Sequence, residues 1–326
     1  MGRRAAWSVT IVGCTGLLAL AFALSACSPA QPPSPVSPVA QSSTTASAPV
    51  DGYVGAETCK ACHEDAYERF ATTRMGRLFL RHPRNALERL GCENCHGPGQ
   101  AHVEAGGGKG RQARLITFAR DDPTAPERRS EACLACHTKG DRLFWTGSPH
   151  DSRDVTCAGC HRVMQDHSPR AQLARATEID TCGSCHIQRR AQQMRSSHMP
   201  LREGKMTCTS CHNPHGTVTP ALLKEQSLND TCYTCHAEKR GPFLWEHPPV
   251  AESCVNCHDP HGSNHERMLK MAKPRLCQQC HVETRHPTNP YGRETASAKF
   301  VFGRACSSCH VNIHGSNHPS GFAFTR

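Results

Sequence analysis

Ten times along the 326-residue chain, a cysteine is followed three positions later by a second cysteine and then at once by a histidine. The units are Cys59-x-x-Cys62-His63, Cys92-x-x-Cys95-His96, Cys133-x-x-Cys136-His137, Cys157-x-x-Cys160-His161 and Cys182-x-x-Cys185-His186. They continue as Cys208-x-x-Cys211-His212, Cys232-x-x-Cys235-His236, Cys254-x-x-Cys257-His258, Cys277-x-x-Cys280-His281 and Cys306-x-x-Cys309-His310. Two thiols at this spacing with an imidazole directly behind the second form the attachment pattern of c-type haem. The thiols add to the two porphyrin vinyl groups as thioethers, and the histidine is held against one face of the iron. The motifs use 20 of the 22 cysteines. With Cys and His each at about 7% of the chain, chance supplies roughly 0.1 such motif. Zinc knuckles also pair cysteines this way, but they do not require a histidine after every second cysteine. A disulfide framework leaves the ten histidines equally unexplained.

Each iron held in this way needs a second axial ligand, and a free histidine supplies it. Of the 22 histidines, twelve lie outside the motifs. One stands beside or near a proline after each odd-numbered motif: His82, His150, His198, His247 and His286. Another closely follows each even-numbered motif: His102, His167, His215, His261 and His314. The order motif, histidine, motif, histidine thus recurs five times, at intervals of 74, 49, 50 and 45 residues between first cysteines. The two histidines left over, His265 and His318, follow His261 and His314 at equivalent places. The first of each pair is the expected ligand, by likeness to Asn213-Pro214-His215. A histidine three residues beyond a motif cannot reach round the same ring, so it caps a neighbour. The expected scheme is crossed within each module: the histidine before the even motif caps the even haem, and the one after it caps the preceding odd haem. Methionine would raise the potential as a ligand, and Met75, Met199 and Met206 lie near motifs, but the histidines suffice.

The fold must bring these groups together with little apolar material. Hydrophobic residues are 37% of the chain and aromatics 5%, low for a globular protein of this length. The haem rings are therefore the expected core and the polypeptide a thin wrapping of short helices, with little regular secondary structure and no convincing strand. Glu64–Leu80 carries a helical stripe of Ala66, Tyr67, Phe70, Ala71, Met75 and Leu78. The formal charge of +10 suggests an anionic partner, but haem propionates cancel it. Ten haems would bring the mature chain from about +8 to about −2 when oxidised and about −12 when reduced. The excess Arg and Lys are the natural partners of those propionates, and no nucleic-acid motif is present.

Residues 1–26 read as an export leader: Arg3 and Arg4, then an apolar run to Leu24. It ends Leu24-Ser25-Ala26-Cys27, a bacterial lipobox, which predicts lipid attachment at Cys27. An uncleaved anchor helix is the alternative. Residues 27–52 form an uncharged Pro- and Ser-rich tether up to Asp51, of about 3.1 Å per residue where extended. Ser28, not an acidic residue, follows the lipid site and points to the outer membrane. Residues 53–326 form the haem domain. Its first interval is stretched by a loop over 97–129, either functional or a solvated insertion.

The set of ten motifs, with Cys211-His212-Asn213-Pro214-His215-Gly216, Cys257-His258-Asp259-Pro260-His261-Gly262 and Cys95-His96-Gly97-Pro98-Gly99 trailed by His102, resembles the MtrA/DmsE family of decahaem cytochromes over about residues 53–318. The resemblance implies a linear array of ten bis-histidine haems in five dihaem repeats. It implies a wire inserted in an outer-membrane β-barrel porin, passing electrons between a periplasmic or inner-membrane cytochrome and an external multihaem cytochrome. Lipidation at Cys27 departs from the soluble family pattern. It also suits a lipid-anchored periplasmic shuttle feeding a separate reductase. A multihaem reductase of nitrite, hydroxylamine or a sulfur oxyanion is the enzymatic alternative; it would require an iron with a free face, and every motif here has a candidate sixth ligand. The expectation is an electron carrier with no catalytic residue.

Overall fold

Nine residues is the longest helix among the described residues, reached in Glu64–Thr72 and Pro126–Leu134. All others are six residues or shorter. The computed structural model describes residues 51–108, 115–281 and 305–325, within a unit spanning Ala48–Arg326. The leader, Cys27, the tether before Asp51 and His286 lie outside the described residues. No described helix is long and apolar enough to cross a membrane. Among the described residues, pairing of β type is confined to isolated bridges such as His161–Leu173, His212–Leu223 and His258–Leu269.

The stripe expected over Glu64–Leu80 divides in two. The helix Glu64–Thr72 stops at Thr73, which is extended (φ −74°, ψ 162°). The buried Thr73 hydroxyl donates to Phe70 O at 2.8 Å and accepts from Gly76 N at 2.9 Å, so it closes one helix and caps the next. Only glycine fits at position 76, where a Cβ would stand 1.7 Å from Phe70 O. A π-helical turn, Arg77–Arg81, follows. Of the expected stripe Phe70 and Ala71 are buried and Ala66, Tyr67, Met75 and Leu78 half-buried, while Phe79, outside it, is buried. Phe70, Ala71, Phe79, Trp145 and Leu269 are the buried hydrophobic residues among those described.

Several elements near the motifs are set by capping chemistry. Thr177 and Ser227 accept from Asp180 N (3.2 Å) and Asp230 N (3.0 Å), starting the helices Glu178–Gly183 and Leu228–Tyr233. Each helix delivers the first cysteine of an odd motif, Cys182 or Cys232, in its last turn. Side chains then join the motifs of one module. Asn229 accepts from Cys254 N at 2.8 Å while donating to Val250 O and Ala251 O. Glu178 accepts from Thr209 N at 2.6 Å and from its hydroxyl at 3.0 Å. In the first module the buried Glu93 accepts from Val54 N, Gly55 N and Gly99 N at 2.7–3.1 Å, fixing the entry of the domain.

Candidate haem centres

All ten motifs close in the same way. The histidine N–H donates to the carbonyl of the first cysteine at 2.9–3.1 Å, a single turn that turns both thiols and the imidazole toward one site. The motifs then meet in strict alternation. The first thiols of each odd motif and the next even motif interact: Cys59 with Cys92, Cys133 with Cys157, Cys182 with Cys208, Cys232 with Cys254 and Cys277 with Cys306. The second thiol of each even motif lies within electrostatic range of that of the next odd motif: Cys95 with Cys136, Cys160 with Cys185, Cys211 with Cys235 and Cys257 with Cys280. This sequence of proximities runs through all ten motifs in chain order. Glu178, Cys182 and Cys208 also stand close enough to hold a metal ion. Those thiols belong to two haem motifs, and the Glu178 carboxylate is already taken by Thr209.

The five even motifs share an outer layer that the sequence did not reveal. Nδ1 of His96, His161, His212, His258 and His310 bonds a carbonyl further along: Ile116, Ala171, Ala221, Arg267 and Ala323 respectively, at 2.5–2.8 Å. An N–H of imidazole donated to a carbonyl fixes the ring and leaves Nε2 as the ligand. Three of these carbonyls come from non-glycine residues in left-handed backbone: Ala171 (φ 53°), Ala221 (φ 56°) and Arg267 (φ 56°). The bridge after each one, to Leu173, Leu223 or Leu269, holds the turn in place. The signal available was the spacing of a leucine eleven or twelve residues beyond the motif histidine. In the stretched first interval, Ile116 performs the same task and Phe118 packs edge-on to His96 at 5.6 Å. That part of the loop serves the second motif.

An imidazole nitrogen sits about 2 Å from a bound metal, so two rings facing one iron have centres about 6.3 Å apart. Six histidine pairs match this: His63–His102 (6.3 Å), His161–His215 (6.1 Å), His150–His186 (6.1 Å), His212–His261 (6.1 Å), His247–His281 (6.2 Å) and His258–His314 (6.2 Å). In each, a motif histidine faces one of the expected distal histidines. Burial holds His215, His247, His261 and His314 below the ordinary imidazole range, favouring the neutral form that binds metal. The residues present therefore fit bis-histidine haem.

The crossed scheme within modules fails in five of these six pairs. Only His102 caps the odd motif of its own module. His215, His261 and His314 face the even motif of the preceding module, and His150 and His247 face the odd motif of the following one. The cause is packing across about one and a half modules. The loops after the sixth, eighth and tenth motifs lie on segments roughly 70 residues earlier. Asn213 Nδ2 donates to Asp141 O at 2.8 Å, and Leu244 N donates to Asn317 Oδ1 at 2.7 Å. Ser197 and Ser263 exchange backbone bonds of 3.0 and 2.7 Å, as do Trp245 and Ser316 at 3.0 and 2.9 Å. The glycine after His215, His261 and His314 permits this approach. At Gly216, Gly262 and Gly315 (φ 114°, 119° and 129°) a Cβ would stand 2.0–2.2 Å from Phe144 O, Gln192 O and the Phe243 ring.

His82 and His167 form no ring pair among the described residues. His198 bonds Arg195 O through Nδ1 (2.7 Å) and Glu203 through Nε2 (3.1 Å), and the latter bond holds the Glu203 carboxyl below its ordinary range. His286 lies outside the described residues.

Comparison with known proteins agrees with this geometry. The doubled CXXCH motif family matches residues 198–241 and 247–286. The NrfB-like cytochrome c-type protein family matches residues 92–185. The multihaem cytochrome MtrA of Shewanella baltica (strain OS185) is 42% identical over 273 residues, which is 82% of this chain and 80% of that protein. Motifs, paired imidazoles and this identity together establish that the chain belongs to the MtrA family of multihaem c-type cytochromes.

Proposed function

We propose that the chain carries ten haem c groups, one per motif, and conducts electrons between the periplasm and the outer face of the outer membrane. The observation that carries this reading is the unbroken alternation of thiol neighbours, which places every motif beside the next. Haem bound at these motifs would supply a one-electron ferric/ferrous couple. The cysteines of each motif would tether the ring, and the adjoining histidine would bind the iron. His102, His150, His215, His247, His261 and His314 would supply the second imidazole at six sites, and His82, His167, His198 and His286 at the remaining four. Imidazole on both faces leaves no coordination position for a substrate, which favours a carrier over a reductase.

In this reading residues 1–26 are removed, Cys27 is lipidated, and residues 27–52 tether the haem domain, 53–326, to the periplasmic leaflet of the outer membrane. The tether reaches up to about 70 Å when extended. The likeness to MtrA supports a porin–cytochrome conduit: a β-barrel porin around or above the domain, an extracellular multihaem cytochrome outside, and a periplasmic or inner-membrane cytochrome as the inner partner.

Mass spectrometry of the mature protein tests the cofactor set: ten covalent haems and a lipidated Cys27 are expected. Fewer haems, or a substantial high-spin ferric signal, would end the conductor reading. Detergent extraction of outer membranes tests the location. A β-barrel that purifies with the cytochrome supports the conduit, whereas extraction without one leaves a lipid-anchored shuttle.

A further inference from the structure

One of the six histidine pairs differs from the others. The ring planes of His63–His102, His161–His215, His212–His261, His247–His281 and His258–His314 lie within 12–20° of parallel. Those of His150 and His186 cross at 75°. The cause is visible on the His150 side. Its Nδ1 donates to Pro214 O at 2.8 Å, 64 residues away. Pro214 immediately precedes His215, which faces His161. The equivalent residue in the last repeat is Ile313, which precedes His314. Its carbonyl approaches His247, but the buried Nδ1 there reaches hydrogen-bond geometry with no partner. That pair stays near parallel, at 20°.

We infer that the fifth motif, Cys182–His186, holds a haem with crossed axial imidazoles, set by the Pro214 carbonyl acting on His150. This rests on the haem-binding reading above. The electronic consequence follows from orbital symmetry. Each imidazole raises the iron d orbital that overlaps its π system. Parallel rings raise the same orbital, so the two π orbitals split and ferric iron gives a rhombic three-line resonance. Crossed rings raise both orbitals about equally, and the resonance becomes a single highly anisotropic feature at large g. The fifth centre is thus electronically distinct from the fourth and sixth, which the chain contacts place on either side of it. The tripeptide Asn213-Pro214-His215 serves both: His215 completes the fourth site and Pro214 orients the ligand of the fifth.

The test is electron paramagnetic resonance of the oxidised, fully loaded protein, with covalent haem counted separately by mass. A large-g signal is expected in the wild type. His150→Met should remove one spin-equivalent of it and leave the rhombic signals in place. Pro214→Ile, which copies the last repeat, keeps the main-chain carbonyl but releases the ring constraint that aims it, and should convert the same spin from large-g to rhombic with ten haems still bound. This second variant decides the matter if His150→Met loses haem. Absence of a large-g signal in protein that carries its full haem complement, or its persistence undiminished in both variants, overturns the inference. A haem count below ten overturns the reading beneath it instead.

Discussion

The first module and the later ones solve the same problem with different partners. In the first, His102 follows the second motif and faces His63 of the first, all within one repeat. In the third, fourth and fifth modules the equivalent histidine faces a motif in the repeat before it. The chemistry is identical, and so is the place in the repeat. What differs is what lies behind. The loops after the sixth, eighth and tenth motifs rest on a segment roughly 70 residues upstream, through Asn213, Ser263 and Ser316. After the second motif His102 packs instead beside the odd motif of its own repeat, against His63. Ligand choice is therefore decided by what a loop packs against, not by its distance from a motif in the chain.

The largest effect should come from the ligands themselves. His215→Met should convert the centre at Cys157 and Cys160, and His102→Met the centre at Cys59 and Cys62. Each should raise one potential by on the order of 0.1 V, within the roughly 0.8 V that axial ligands span. Protein-film voltammetry with nuclear magnetic resonance of the shifted haem methyls reads both the size and the site. A His215→Met effect on the Cys182 centre would restore the scheme within modules and erase the contrast between the regions.

Next come the anchors. Gly262→Ala places a Cβ against Gln192 O in a backbone region reserved for glycine, and should cost about 3 kcal/mol in chemical denaturation. Gly204→Ala, also at positive φ (68°) but with nothing near its Cβ, should cost only about 1 kcal/mol. Equal costs would mean that the approach between repeats contributes nothing. For the first module the corresponding anchor is local. Glu93→Ala leaves three backbone N–H groups without their carboxylate and should cost about 2–3 kcal/mol, read by loss of amide-exchange protection at Val54 and Gly55.

The smallest effect should be Ala221→Gly. It relaxes a left-handed alanine, and the gain offsets the added freedom of the unfolded chain, so stability should shift by less than about 1 kcal/mol. The carbonyl that holds His212 should stay in place, and the potential of that centre with it. A large shift would show that the strain is part of the ligand's support.

Motifs, candidate ligands and short helices were legible because each is written in neighbouring residues. Six of the ten expected distal histidines face a motif histidine, which the repeat order alone suggested. The pairing was not legible, since contacts between Asn213 and Asp141, or Ser197 and Ser263, leave no mark in local spacing. The carbonyls of Ala171, Ala221 and Arg267 were hidden for another reason: alanine and arginine give no warning of left-handed backbone, as glycine or asparagine would. The break at Thr73 was hidden because a threonine in an apolar stripe reads as one polar position, not as a double cap.

The alternation of thiol contacts has a consequence for how such a chain can change in length. Each joint brings together the cysteines of two consecutive motifs, and the loops after the sixth, eighth and tenth motifs finish sites laid down one repeat earlier. A copied repeat inserted in the interior would thus find the same neighbours on both sides as the one it duplicates. The first repeat differs, since His102 meets His63 within it. Growth or shrinkage by whole interior repeats would leave the joints between consecutive motifs unchanged.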